Sequence, residues 1–190
     1  MKQKMWAYLM HLSDNMWGDP GSMIKIAPYQ PELTTDDKIW KDTIDFLPTQ
    51  GFNTVLIDIG DAIQYETHPE ISVKGAWSKD KLKAELNRMR AMGLTPLPKL
   101  NFSAGHDAWL GEYSRMLSTS TYYQVCKDLI LEVAEVFGNP EYFHLGILLL
   151  CHVYILKSLK NWKGSWSFHG KRSRITGWCF VLGLEFLRAE

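Results

Sequence analysis

"GFNTVLIDIGDAIQYETHPEISVKGAWSKDKLKAELNRMRAMGLTPLPKL" occupies residues 51–100. Within it, FNTVLIDI (residues 52–59) is rich in β-branched side chains and reads as a strand, interrupted by Asp58 near its end. Gly60-Asp61 and a loop running through His68-Pro69-Glu70 to Trp77 follow. Ser78-Lys79-Asp80 is a helix start, and Leu82, Leu86 and Met89 then recur on one face until Gly93. LTPLPKL (residues 94–100) reads as the next strand, although prolines are poorly tolerated inside a sheet. Strand, helix, strand with a long crossover implies a parallel pair.

The pattern extends in both directions. Upstream, MWAYLMHL (residues 5–12) is an apolar, aromatic run expected to form a buried strand ending in Ser13-Asp14-Asn15-Met16-Trp17. A Pro/Gly loop separates it from Thr34-Thr35-Asp36-Asp37, a helix start, after which Ile39, Trp40, Ile44 and Leu47 recur at helical spacing. Pro48 and Gly51 close that helix. Downstream, the loop from Asn101 to Trp109 leads to a helix over residues 119–137, amphipathic through Val125, Leu129, Ile130 and Val133. Gly138-Asn139-Pro140 ends it, and YFHLG (residues 142–146) begins a fourth strand.

Four strands alternating with three helices define an α/β fold with a parallel sheet and right-handed crossovers. A doubly wound sheet and the first half of a (β/α)8 barrel both fit. No glycine-rich phosphate loop follows the first strand, which argues against nucleotide binding and against the doubly wound alternative. A complete barrel takes about 250 residues. The expected architecture is therefore a partial TIM barrel truncated after about the fourth strand, occupying residues 1–146.

Residues 147–190 differ in kind. They hold seven Lys/Arg against two Glu, a balance of +5, and three of the eight tryptophans. The whole chain of 190 residues has a formal net charge of zero, so residues 1–146 carry −5. No helical or alternating pattern runs through KNWKGSWSFHGKRSRITGWCF. Sliding the reading frame forward by one base under residues 167–186 permits a charged helix, a glycine and an aromatic strand. The tail is accordingly read as aberrant and out of frame. The alternative is a genuine basic, aromatic interaction element.

The totals bound the function. Aromatic residues at 13% and charged residues at 22% describe a globular chain. The zero net charge gives no reason to expect nucleic acid as a partner, and no apolar run approaches the ~20 residues of a membrane span. Cys126, Cys151 and Cys179 include no CxxC pair, so neither a disulfide framework nor a zinc motif is implied. Met-Lys-Gln-Lys opens an N-terminus whose apolar run is short, contains His11 and meets no small-residue cleavage site, so it is not read as a signal peptide.

Parallel α/β sheets carry their sites at the C-terminal ends of the strands. There this chain places Asp14 and Trp17, then Asp58 and Asp61, then Lys99, Asn101 and His106-Asp107, then His144. Aromatics mixed with carboxylates, amides and imidazoles suit a carbohydrate, whose ring faces stack on Trp and whose hydroxyls pair with polar groups. Each residue also has a structural reading as a turn, loop or core group. Lys99 is the hardest to read that way, because a buried lysine without a partner is costly. No catalytic residue, metal ligand or cofactor is assigned.

Residues 51–111 followed by YFHLG resemble the front half of a family 20 glycoside hydrolase-like barrel, the β-hexosaminidase group. PKLNFSAGH (residues 98–106) stands where that family has a Pro-Glu-x-x-x-Pro-Gly-His loop, and His144-Leu145-Gly146 matches the start of its His-x-Gly-Gly-Asp-Glu motif. His106 and His144 are carried over; Lys99 stands in place of the family's glutamate, and Ser103-Ala104 near its proline. The resemblance implies a carbohydrate-active protein in which an acidic pair after His-x-Gly does the chemistry. Here Ile147-Leu148-Leu149-Leu150 follow, so the chain is expected to be inactive as it stands. Two other readings stay open: a non-catalytic carbohydrate-binding or scaffold protein, and an α/β-barrel lyase or aldolase-type enzyme using Lys99 as an amine nucleophile. The cellular location is left open, glycan-degrading proteins being often exported. Half a barrel also exposes a sheet edge, through which the chain is expected to associate with itself.

Overall fold

The computed structural model describes residues 4–18, 28–102 and 105–146, and the backbone of residues 166–169 and 186–189. The out-of-frame reading of residues 147–190 falls almost wholly outside the described residues, as do Ser103 and Ala104.

Four parallel strands form the body of the sheet: β1 (Ala7–His11), β2 (Thr54–Asp58), β3 (Thr95–Lys99) and β4 (Tyr142–His144). Three helices connect them: α1 (Asp37–Phe46), α2 (Lys79–Ala91) and α3 (Ser120–Val136). This is the α/β fold that the alternating pattern implies. Two further strands, β5 (Trp166–His169) and β6 (Phe186–Ala189), complete the order β1-β2-β3-β4-β6-β5. β6 runs antiparallel to β4, and β5 antiparallel to β6.

The helices begin where the chain supplies acceptors for their first N–H groups. The Asp36 carboxylate accepts from the amides of Lys38 and Ile39, both at 2.8 Å. Ser78 Oγ accepts from Lys81 N at 3.1 Å, and Thr119 Oγ1 from Tyr122 N at 3.2 Å. Trp40 and Ile44 of α1, Leu82, Leu86 and Met89 of α2, and Val125, Leu129, Ile130 and Val133 of α3 all enter one core with Val55, Ile57 and Phe143.

The two prolines of β3 are tolerated for a geometric reason. Thr95 N donates to Asn53 O, and Lys99 O accepts from Ile59 N, so the odd-numbered residues of β3 bond toward β2. Pro96 and Pro98 therefore lack their N–H on the side of β4. That strand is only three residues long, and its register with β3 is the single pair Lys99↔His144. The first β3–β4 bond in which β3 donates is Leu100 N→His144 O, at 3.0 Å, beyond both prolines.

β1 departs from expectation. It is an edge strand, and apart from half-buried Met10 its residues are exposed. Apolar content does not bury a strand that has a described neighbour on one side only. A 3-10 segment, Ala108–Arg115, was not legible as a helix and packs Trp109 and Leu110 into the core.

Candidate functional site

Strand register assembles the site. His11 lies level with Asp58, Asp58 with Lys99, and Lys99 with His144. Side chains alternate along a strand, so these four project from one face of the sheet as a row at its C-terminal rim. Leu9, Leu56 and Leu97 form the layer beneath.

The row is held by charge. Lys99 Nζ donates to Asp58 Oδ2, and His11 Nδ1 lies 3.3 Å from the same oxygen. Both members of the Lys99–Asp58 pair are buried, Lys99 with 6% of its surface exposed. Asn101, with its amide oriented to satisfy both neighbours, accepts from Lys99 Nζ at 2.9 Å and donates to Gly146 O at 3.1 Å. Gly146 is required there. Its φ is +55°, and a Cβ at this position would sit 2.1 Å from the Asn101 side chain. Gly146 N in turn donates to His144 Nδ1 at 3.1 Å. Burial, reinforced by the Lys99 ammonium, pushes the His144 imidazole down to about 4, so at neutral pH the ring is uncharged.

Over this row stands an aromatic wall. Trp17 leaves 42% of its surface exposed, with its ring centroid 6.4 Å from that of His11 and 6.1 Å from that of His106. His106 Nδ1 is buried and has no hydrogen-bond partner among the described residues. The result is an exposed indole face, a polar floor that holds the Lys99–Asp58 ion pair, and an imidazole nitrogen with no partner among the described residues.

Asp61 belongs to a different assembly. It is fully buried, and both carboxylate oxygens accept: Oδ1 from Ser13 Oγ, and Oδ2 from Asn15 Nδ2 at 2.9 Å. Asn15 also donates to Gln30 O and accepts from Gln30 N, each at 2.7 Å. This network ties the loop after β1 to the loop after β2, and so positions Trp17. Burial, only partly offset by Ser13 and Asn15, raises the Asp61 carboxyl to about 6.

Of the residues expected at the site, register and loop packing bring together Trp17, Asp58, Lys99, Asn101, His106 and His144. Asp14 is exposed, and no described contact ties it to the row. Asp61 is a supporting group. Sequence reasoning passed over His11, although its alternation with Leu9 two residues earlier placed it on the same face. Among the described residues no cluster of three or more His, Cys, Asp or Glu could hold a metal ion, and no helix is long and apolar enough to cross a membrane. A scan against protein-family models and a search of curated proteins each found no match.

Proposed function

We propose that residues 1–146 are the front half of a glycoside hydrolase-like (β/α)8 barrel, of the β-hexosaminidase type, that binds an uncharged sugar but does not cleave it. The observation that carries this reading is the exposed Trp17 face set between His11 and His106 above the Asp58–Lys99 pair. An indole face packs on the apolar face of a pyranose, while the row beneath offers donors and acceptors to its hydroxyls. The Lys99 and Asp58 charges offset each other, so this pair gives the floor no preference for an anionic ligand.

Hydrolysis needs a proton donor and a second group that stabilises the oxocarbenium-like centre. By the resemblance both belong immediately after Gly146, where the chain has Ile147-Leu148-Leu149-Leu150. Lys99 does not favour the amine-nucleophile alternative. Its Nζ is engaged by Asp58 and Asn101 and is nearly inaccessible to a carbonyl substrate.

Calorimetric titration with N-acetylhexosamines and with simple hexoses tests the proposal. Saturable binding is expected, weakened about tenfold, or about 1.4 kcal/mol, by either Trp17→Ala or Asp58→Ala. Hydrolysis of aryl N-acetylhexosaminides should stay at the buffer rate. Turnover that disappears in Asp58→Ala would move the chemistry into residues 1–146. Absence of binding to every sugar would end the reading.

A further inference from the structure

Asp61 is a fully buried carboxyl that makes no ion pair among the described residues. Two titratable side chains face it, Tyr65 from its own loop and Tyr29 from the segment that Asn15 holds. Burial first, and the Asp61 charge second, raise both phenols above their ordinary value of 10, so neither ionises near neutral pH. The neighbouring Asp58 charge is matched by Lys99. Asp61 alone therefore decides whether this part of the interior carries an uncompensated charge.

The surrounding hydrogen bonds accept either protonation state. Ionised, Asp61 accepts from the Ser13 hydroxyl and from Asn15 Nδ2. Protonated on the oxygen that faces Ser13, it donates to that hydroxyl, which can accept as well as donate, and still accepts from Asn15. The two sides of the contact are not held alike. Asp61 O accepts from Val73 N at 3.1 Å, and Ala62 and Ile63 beside it are fully buried. Opposite them, Ser13 and Asn15 belong to the short turn after the edge strand β1, and this turn carries exposed Trp17.

We propose that proton binding by Asp61 controls the placement of Trp17, so that the sugar site is assembled while this carboxyl is protonated and loosens when it ionises. Asp61 touches no ligand and is a positioning residue. The inference takes its ligand from the carbohydrate reading above. Its direction follows from linkage. The assembled turn holds the Asp61 proton up to about pH 6, whereas a hydrated Asp61 in a loosened turn has the ordinary value of 3.8. The preference for the assembled turn therefore falls as pH rises from about 4 to about 6, and is constant above that. His144, lowered to about 4, stays uncharged above about pH 5, so the range from about pH 5 to about pH 7 is clear of it.

Two measurements on the 190-residue chain test this: the pH dependence of the Trp17 fluorine resonance in 5-fluorotryptophan-labelled protein without sugar, and calorimetric titration with N-acetylglucosamine. The Trp17 resonance should shift across this range, and affinity for the sugar should fall by up to about tenfold. Asp61→Asn places a donor toward Ser13 and an acceptor toward Asn15, as the protonated acid does. It should abolish the Asp61-linked shift and keep at about pH 7 the affinity that the parent has at about pH 5. Ser13→Ala removes a hydrogen bond that favours the carboxylate, so it should move the midpoint to higher pH. Should Asp61→Asn misfold, that midpoint decides. A Trp17 resonance that does not titrate overturns the proposal. So does one that titrates identically in Asp61→Asn, because the titration then belongs to His11 or His106, whose rings flank the indole. Sugar affinity indifferent to pH while Trp17 titrates overturns the inference and leaves the carbohydrate reading standing. An Asp61-dependent Trp17 titration with no sugar binding at either pH ends the carbohydrate reading and supports the control of Trp17 alone.

Discussion

Two buried ionisable residues pull the stability of the fold in opposite directions as pH changes. Asp61, raised to about 6 from an ordinary carboxyl value of 3.8, binds its proton more tightly in the folded chain. Its contribution is fully present below about pH 4 and is lost as pH rises through 6. His144, lowered to about 4 from 6.5, behaves inversely: its contribution is present above about pH 6.5 and is lost as pH falls through 4. Each shift of two units or so corresponds to roughly 3 kcal/mol, so between pH 4 and 6.5 the two largely cancel. Urea unfolding of single variants separates them. Asp61→Asn leaves the His144 slope, so that variant should lose stability on acidification more steeply than the parent chain. His144→Gln should gain stability over the same interval. Parallel profiles for parent and variants would show that neither group titrates as its surroundings require.

At the scale of elements, the long segment between β2 and α2 is stapled to α3 by one buried carboxylate. Glu132 accepts from Glu66 N at 2.6 Å, Thr67 N at 3.0 Å and Thr67 Oγ1 at 2.5 Å, and pairs with Lys79 at 2.8 Å. Burial opposes its ionisation, but Lys79, Thr67 and the two backbone donors outweigh burial and hold the carboxyl below the ordinary glutamate range. Glu132→Ala strands two backbone N–H groups and leaves Lys79 paired with Glu66 alone, at a cost of about 3 kcal/mol. Hydrogen exchange at the Glu66 and Thr67 amides should accelerate far more than exchange within β2. Equal acceleration throughout would mean that Glu132 supports the whole fold rather than this segment. The staple was invisible in the sequence, where Glu132 sits among the apolar positions of α3 with nothing to mark Thr67, 65 residues away, as its partner.

For the molecule as a whole, the parallel α/β order was legible because each crossover carries its own signals: Ser78 before α2, Thr119 before α3, Gly51 and Gly93 after the helices. Burial of β1 was not legible, because its apolar composition is that of a core strand, whereas exposure depends on which strand lies beside it. The polar strand ends were legible one by one. What the sequence does not display is register, and register alone sets His11, Asp58, Lys99 and His144 abreast. It likewise does not separate Asp58, in the row, from Asp61, three residues later and sealed beneath Ser13 and Asn15. The central claim is that this row and the Trp17 face above it form one carbohydrate site. Its most direct test is fluorine NMR of the chain labelled with 5-fluorotryptophan, titrated with an N-acetylhexosamine and with Trp17 assigned through Trp17→Phe. The account predicts a saturable shift of the Trp17 resonance that needs Asp58 and His106, while buried Trp40, Trp77 and Trp109 stay in place. A Trp17 resonance that does not move, or that moves equally in Asp58→Ala and His106→Ala, would contradict it.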